Sequence, residues 1–419
     1  FCLPYQRRAG DRGRDPTADT EPVTPSRSVR QYITGLAAAH MVTDIYMPVL
    51  PSILPLLIAS NGYSYLAAGL LVTAYNITSS FTQPVVGWLS DSGGLTISVG
   101  GSLLVSAVFV ALMGIAGNYY LMMACAILAA VGHACFHPTA LSRVSRLCTP
   151  ETRGRITSYF VVGGNLGYAI GPVLAAAVVW AFGLPGLLLL LIPAIIMVFL
   201  LKAILPGGID GPAEHTQKTA PVHGDVPSRW PFVLLMAASV LRAWAVFAAI
   251  TFLPMYLVLQ GYDLVTASAV MTLMLLTGVA GQIAGGRISD AIGRKEFMIF
   301  GLAGAIPFFY IFFVTTGILA ILAILIFGFF LWSTFAVAVA MSHELLPQNV
   351  GLASGMMLGL AIGVGGLGVA VNGMIADHVS LAAALGTIPI PIALAVILMA
   401  ILPYPWKSLR KPKSGAGAP

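Results

Sequence analysis

The chain has 419 residues, of which 58% are hydrophobic and only 9% are charged, and its formal net charge is +6. Soluble domains carry about 25% charged residues, so the composition excludes a single water-soluble core and predicts a protein that is largely solvated by lipid. Four cysteines show no paired spacing and therefore predict no disulfide framework: Cys2, Cys125, Cys135 and Cys148.

Twelve apolar runs follow a polar N-terminus. Residues 1–30 are arginine-rich, show no cleavable signal pattern and are expected to be disordered. Each later run is long enough for a spanning helix, which needs about 20 residues. The predicted spans are 31–58, 64–90, 95–116, 119–146, 154–180, 184–204, 230–259, 264–289, 297–316, 318–346, 349–376 and 380–403. The polar insert 206–229 predicts a linker, and residues 405–419 form a tail.

Lysine and arginine fix the predicted orientation. With the N-terminus inside, 20 of the 21 basic residues lie at or next to cytoplasmic segments, and the outer loops have none. The remaining one, Arg242, lies inside the seventh span. This asymmetry predicts cytoplasmic termini, and it argues against nucleic-acid binding because the basic residues are topology signals.

The chain also repeats itself. Asp91 and Asp290 follow the second and eighth spans in similar sequences and are 199 residues apart, and Pro150 and Pro347 are 197 apart. Six helices therefore recur with the same orientation, which predicts pseudo-symmetric halves at 31–205 and 230–404. Many secondary transporters have such halves, with the substrate site between them.

Several motifs resemble a known family. The run from Gly286 to Lys295 is similar to the cytoplasmic signature of the major facilitator superfamily. Within that superfamily the chain resembles the fosmidomycin-resistance exporters. The runs that carry this resemblance are His40–Pro55, Gly69–Asp91, Gly132–Arg146 and Gly163–Pro172. The resemblance implies an all-α membrane protein with the twelve-helix major facilitator fold. It also implies an inner-membrane exporter in which spans one, four, seven and ten line a central cavity.

Ionisable side chains near the midplane occur on three of these four spans, the first, the fourth and the seventh. His40 and Asp44 share one face of the first span, and His133 and His137 share one face of the fourth, because residues four apart are neighbours on a helix. A charge within the bilayer costs roughly 2.5–3.5 kcal/mol, so a function is expected to retain it. Histidine titrates near neutral pH, and the four are therefore candidate proton carriers. The alternative is that the histidines only hydrogen-bond across helices.

Arg242 lies 198 residues after Asp44, which is the repeat period within one residue. The two are therefore expected to face the same cavity from equivalent helices. We hypothesise that they pair, or lie close enough to compete, and that an anionic substrate or a proton on Asp44 breaks this interaction. The alternative is a permanent structural bridge. Polar residues in the first half are further candidates for substrate contact, or else for interhelical hydrogen bonds: Tyr46, Tyr75, Asn76 and Asn165.

A conformational latch is expected at the inner helix ends. Its candidate residues are Gly87, Asp91, Gly286, Asp290 and Arg294, with Arg146 and Glu344 as a gate pair. The glycines are expected to permit close approach of helices, and Arg294 to meet a carboxylate. Gly163, Gly167 and Gly171 recur every four residues and predict close helix packing. In the resemblance they belong, with the kinking Pro172, to a motif at the interface between halves. Pro48, Pro51 and Pro55 are expected to bend the first span.

The sequence thus predicts a proton-coupled exporter of small drug-like or anionic compounds, such as a phosphonate antibiotic, that works as a monomer without a cofactor. One alternative is a divalent-metal transporter that uses His40, Asp44, His133 and His137 as ligands. The other is proton-coupled uptake of an organic anion. An enzyme is not expected, because the sequence shows no nucleophile–base pair and no phosphate-cradling loop.

Overall fold

The computed structural model describes residues 27–91, 97–147, 153–204, 229–347 and 349–406. The predicted disordered N-terminus up to residue 26, the linker 206–228 and the tail from residue 407 lie outside this part. So do the side chains of Asp91 and Arg146, although their backbones end α3 and α5. The helices are α1 Arg27–Ile45, α2 Val49–Asn61, α3 Tyr65–Asp91, α4 Val99–Leu112, α5 Tyr119–Arg146, α6 Arg153–Phe182, α7 Leu191–Ile204, α8 Trp230–Leu259, α9 Leu264–Ile292, α10 Arg294–Val314, α11 Gly317–Leu345, α12 Val350–Gly355, α13 Ala361–His378, α14 Leu381–Gly386 and α15 Pro389–Ile401.

The helices make a multi-pass membrane protein, as the composition predicts. Among the described residues, ten helical segments are long and apolar enough to cross a bilayer. Two further helices complete the twelve predicted spans. One is α3, which has 27 residues but a polar middle, and the other is the shorter apolar segment Val99–Ile115. A π-helical stretch, Met356–Leu360, joins α12 to α13 within the eleventh span.

The first span is broken, as its prolines predict. α1 ends at Ile45, and α2 begins at Val49 directly after Pro48. Proline has no backbone N–H to donate to the preceding turn, so it interrupts the helical ladder there. The break lies just beyond Asp44, and the two parts of the span can therefore pack at different angles. Pro172, in contrast, lies inside the uninterrupted helix α6.

The helices pack as two bundles that meet along two seams. In the first bundle α1 packs on α6 and α5 packs on α3 and α4, and in the second α11 packs on α9 and α10. Between the bundles, α3 packs on α13, and α6 packs on α9. Asn165 of α6 donates to Gln282 of α9 across the second seam at 3.1 Å. Of the functional side chains described below, the clustered ionisable groups lie on α1 and α5 within the first bundle, and Arg242 lies on α8 of the second.

The glycine stripe of α6 packs inside one bundle. A Cβ added at Gly163, Gly167 or Gly171 would lie within 3 Å of a backbone carbonyl oxygen of α1, namely that of Ala37, Met41 or Ile45. The predicted close packing is therefore present. Its predicted place between the halves is wrong, since the partner helix belongs to the same half.

Two glycines of the predicted latch do not mediate close packing. A Cβ added at Gly87 or Gly286 would meet no atom within 4 Å. The expectation that they permit close approach is therefore wrong in this conformation. The contact is made instead by Gly285, where a Cβ would lie within 3 Å of the carbonyl oxygen of Ser333.

Candidate functional site

Three ionisable side chains converge where α1 crosses α5. His40 and Asp44 lie one turn apart on α1, and Nε2 of His40 is 3.2 Å from Oδ2 of Asp44. His137 of α5 completes the group, with its Nε2 at 3.4 Å from Oδ1 of Asp44 and 3.2 Å from Nε2 of His40. We call His40, Asp44 and His137 the charge cluster. His40 is only 6% exposed, and the cluster therefore lies largely away from water.

The other ring nitrogen of each histidine is held by a backbone carbonyl. Nδ1 of His40 lies 2.9 Å from the carbonyl oxygen of Phe160, and Nδ1 of His137 lies 3.0 Å from that of His133. A carbonyl oxygen only accepts, so each Nδ1 must carry the hydrogen. The ring of His40 also stacks on Phe160 with centroids 4.2 Å apart. Both imidazoles are thus fixed in orientation, with Nε2 turned into the cluster.

This arrangement requires a cation inside the charge cluster. If both histidines were neutral, each Nε2 would present a lone pair to the other and to an ionised carboxylate. Acceptors at 3.2–3.4 Å repel each other unless a proton or a metal ion lies between them. One ligand atom from each residue lies within 4.8 Å of the others, so these three side chains could also hold a metal. The cluster is therefore built to bind positive charge.

His133 stands beside the charge cluster but does not join it. Its ring lies 4.5 Å from that of His137 and 5.9 Å from that of Tyr75. It is 4% exposed, and its Nδ1 has no hydrogen-bond partner. The predicted four-residue metal set is therefore reduced to three. Burying an unpaired polar atom costs about 1–3 kcal/mol, which favours an internal water or a proton near this nitrogen.

Gly164 forms the wall of the charge cluster on α6. A Cβ added there would lie 2.6 Å from Oδ2 of Asp44 and within 3 Å of the His40 ring. No sequence pattern separates this glycine from Gly163 and Gly167, which contact only backbone atoms. The absence of a side chain at this one position is what lets α6 close over the cluster.

Arg242 does not pair with Asp44 in this conformation. Within the part of the chain that the structure describes, the contacts of Asp44 are with the two histidines, and the guanidinium of Arg242 lies over the ring of Phe335 at 5.0 Å. Arg242 is 6% exposed, and its Nε has no hydrogen-bond partner among the described residues. The predicted ion pair is not formed here, and the carboxylate is held by the histidines instead. The described residues therefore leave a buried cation without a carboxylate partner on the second bundle.

The predicted substrate-contacting residues have different surroundings. Tyr46 is 1% exposed, and its hydroxyl donates to the carbonyl oxygen of Leu190 at 2.8 Å, which favours the alternative of an interhelical hydrogen bond. Tyr75 and Asn76, in contrast, have a hydroxyl and an amide nitrogen without hydrogen-bond partners among the described residues. Both line a small cavity between the bundles, which has room for about one water molecule in this conformation. Its wall consists of Met47, Leu50, Pro51, Val72, Tyr75, Asn76, Tyr168, Phe247 and Ile250.

Comparison with known proteins agrees with the fold and the motifs. The sequence matches the family described as the Major Facilitator Superfamily over residues 33–366 and 265–419. The chain belongs to this superfamily. It is 28% identical over 370 residues to the fosmidomycin resistance protein of Escherichia coli (strain K12), which covers 85% of this chain and 89% of the relative. A probable sulfoacetate transporter of Cupriavidus necator is 26% identical over 342 residues, and the match covers 75% of this chain and 79% of the relative.

A solved superfamily structure has the same fold. It is the crystal structure of a bacterial homologue of the human lysosomal transporter Spinster, in an inward-facing and occupied conformation. It matches with a TM-score of 0.74 over 90% of this chain and 96% of that one, at 15% identity. This similarity shows the fold, and membership of the superfamily makes the chain a membrane transporter and not an enzyme.

The superfamily signature between α9 and α10 forms an ion-pair group. Nε of Arg294 lies 2.8 Å from Oε1 of Glu344, and NH2 lies 3.4 Å from Oδ1 of Asp290. Tyr404 donates its hydroxyl to the same glutamate. Arg294 thus meets a carboxylate as expected. Glu344 is engaged within its own bundle, while the side chain of its predicted partner Arg146 lies outside the described residues.

Sequence reasoning missed the aromatic residues that frame the transporter site. Phe160 supplies both a carbonyl and a stacking surface to His40, Phe335 supports Arg242, and Tyr168 closes the cavity. Aromatic residues are common in apolar spans and show no distinguishing spacing here. Their roles depend on helix crossings that a single sequence does not define.

Proposed function

We propose that this protein is a proton-coupled exporter that moves a small organic anion by alternating access between its two bundles. The observation that carries the proposal is the orientation of the charge cluster, in which two Nε2 atoms and a carboxylate require a bound cation. A proton is the cation that needs no further ligand. Release of that proton leaves mutually repelling acceptors, so it favours rearrangement of α1 against α5.

The buried guanidinium of Arg242 supports an anionic substrate. A cation without a counter-charge in the interior gains most from an anion that accepts its hydrogen bonds. Phe335 offers its ring face to the guanidinium, a cation–π contact that helps to hold the charge in place. The names of the relatives agree with an anionic substrate, since fosmidomycin is a phosphonate and sulfoacetate is a sulfonate. A phosphonate or sulfonate is accordingly the substrate class we propose.

Proton and anion then influence each other through their charge. The cluster on α1 and α5 and the arginine on α8 belong to opposite bundles, so occupancy of each site changes the electrostatic cost of bringing the bundles together. In antiport each half-cycle carries one of the two ions. The unpartnered Tyr75 and Asn76 would contact the anion from the first bundle.

The charge distribution supports a cytoplasmic position of both termini in a bacterial inner membrane. Basic residues are confined to the side on which α1 begins, apart from Arg242. The two bundles correspond to the proposed halves, residues 31–205 and 230–404, joined by a cytoplasmic linker. Since the charge cluster, Arg242 and the cavity between the bundles all belong to one chain, a monomer suffices for the cycle.

The proposal is tested in proteoliposomes with an imposed pH gradient. When the cytoplasmic face of the protein points outward, a vesicle with an acidic lumen represents the outside of the cell. Movement of labelled fosmidomycin or sulfoacetate into the lumen should be accelerated by protons moving out, in the opposite direction, and abolished by His137→Ala. Transport that accelerates with protons moving in the same direction would indicate uptake by symport instead. A transport rate that does not change with the pH gradient would refute proton coupling.

Divalent-metal transport is the second candidate function, because the ligand atoms of the charge cluster lie close enough to chelate one ion. Tetrahedral zinc sites use such nitrogen and oxygen donors. Calorimetry with Zn²⁺ on the purified protein distinguishes the two functions. Stoichiometric binding lost in His137→Ala, together with Zn²⁺ flux into vesicles, would favour the metal. Anion flux that is indifferent to a chelator favours the exporter.

A further inference from the structure

The N-terminus of α3 is capped by a carboxylate from the opposite bundle. Oδ1 of Asp377 accepts from the backbone N–H of Tyr65 at 2.7 Å, and Oδ2 accepts from that of Leu66 at 2.9 Å. Asp377 belongs to the last turn of α13. The two bundles are thus joined by a bidentate, charge-assisted contact on the side of the protein opposite the start of α1.

The contact completes the first turn of α3. A helix begins with four N–H groups that have no partner within the helix. The hydroxyl of Ser64 accepts from Ala67 at 3.1 Å, and the carbonyl oxygen of Ser64 accepts the first intrahelical bond, from Ala68 at 3.0 Å. Asp377 satisfies the N–H groups of Tyr65 and Leu66, the first two residues of the helix. When the bundles separate on this side, those two donors lose their partner.

In the second bundle, the N-terminus of the equivalent helix is capped by a residue of the same bundle. α9 is the repeat counterpart of α3, and Asp263 caps it by accepting from Val265 and Thr266 at 2.9 Å each. The residue 199 positions earlier is Ser64, which has no carboxylate. The position equivalent to Asp377 in the first half is Val178. The pseudo-symmetry is therefore broken here, and α3 obtains from the other bundle the charge that α9 carries itself.

Asp377 is poorly placed for any role within its own helix. A carboxylate in the last turn of α13 faces the negative end of the helix dipole, whereas at the start of α3 it meets the positive end. The outer loops contain no lysine or arginine that could pair with it. Gly373, one turn earlier, permits the approach, since a Cβ there would lie 2.8 Å from the carbonyl oxygen of Tyr65.

We propose that Asp377 is a latch that closes this side of the transporter by capping α3 across the bundle interface. Opening this side exchanges the cap for water, so the latch favours the state in which the opposite side is accessible. The proposal rests on the alternating access proposed above. It does not depend on protons or on substrate identity.

The latch is tested by spin-label distances between the bundles. Labels are placed at Asn61→Cys and Val379→Cys, both exposed near the contact, after the four native cysteines are replaced. Asp377→Ala should raise the ratio of open to closed distances roughly ten-fold, the effect of about one charge-assisted hydrogen bond. The measurement is made without substrate at constant pH, so a failure of proton coupling cannot produce or mask it.

A second variant separates the latch from a simple helix cap. Ser64→Asp with Asp377→Ala gives α3 its own cap, as Asp263 gives α9. Its thermal stability should return to that of the wild type while the open distances persist. Closure restored by the self-cap, or an unchanged distance distribution in Asp377→Ala, would overturn the proposal. If Asp377→Ala does not fold, the same spin-label distances are measured in the double variant and in Asp377→Asn, and these distances then test the latch.

Discussion

His40 and His137 turn their Nε2 atoms toward each other at 3.2 Å from positions 97 residues apart in the chain. Each ring is fixed by a carbonyl on its Nδ1, so neither can rotate to relieve the repulsion between two lone pairs. The carboxylate of Asp44 lies close to both rings and attracts the cation that removes this repulsion. The relationship connects two helices through a single exchangeable charge, which is what coupling of ion binding to helix movement requires.

Asp44→Asn should separate transport from its driving force. The amide preserves the size of the side chain but removes the charge that attracts a proton. We expect accumulation driven by a pH gradient to fall at least about ten-fold, the loss of one charge-assisted interaction of about 1.4 kcal/mol or more. Exchange of labelled for unlabelled substrate without a gradient should persist. Asp263→Asn is the matched control, since its carboxylate only caps α9. Equal accumulation in both variants would contradict the role of Asp44.

Gly164→Ala should disturb the charge cluster without unfolding the protein. The new methyl group would lie 2.6 Å from Oδ2 of Asp44, so α6 or the cluster must shift. Overpacking of this kind costs about 1–3 kcal/mol. We expect gradient-driven transport to drop several-fold while the expression level is retained. Gly87→Ala is the control, because its Cβ would meet nothing within 4 Å. A normal transport rate for Gly164→Ala would show that the cluster tolerates displacement.

Much of the fold could be predicted from the sequence because bilayer thickness fixes helix length. The twelve spans, the bend at Pro48 and the close packing at Gly167 all follow from local chemistry. The partner of the glycine stripe could not be predicted, since a small-residue pattern shows that a helix approaches closely but not which one. Gly87 and Gly286 illustrate the same limit, as they belong to a motif yet contact nothing in this conformation.

The candidate site was predictable only in part. Helical spacing placed His40 beside Asp44, but the approach of His137 depends on how α1 crosses α5. The repeat placed Arg242 and Asp44 at equivalent backbone positions, but the direct pair, one of the two arrangements considered, is not formed in this conformation. Backbone equivalence does not determine where a side chain points. Phe335 and the two histidines provide nearer partners, and no periodicity reveals them.

The cap of α9 gives a defined dependence of stability on pH. Hydrogen bonds from the Thr266 hydroxyl, and then from the backbone N–H groups of Thr266 and Val265, lower the pKa of Asp263 in the folded protein. The unfolded state therefore binds its proton first, at a pKa of about 3.9. The stabilisation is present above that value and is lost as the pH falls through the folded pKa. The midpoint temperature of thermal unfolding should thus fall more steeply between pH 6 and pH 3 in the wild type than in Asp263→Asn. Parallel curves would contradict this.

Arg242 is expected to set the affinity for the anion. A charge-assisted hydrogen bond contributes about 1.5–3 kcal/mol, so Arg242→Ala should raise the Kd for an anionic substrate roughly 10- to 100-fold. The Kd of Arg242→Lys should lie between those of the wild type and Arg242→Ala, because lysine keeps the charge but loses the guanidinium group that lies over the ring of Phe335. Binding to purified protein measures this separately from proton coupling. Lys202→Ala removes an exposed cation elsewhere and should leave Kd unchanged. An unaltered Kd in Arg242→Ala would place the anion away from α8 and assign this arginine a purely structural role.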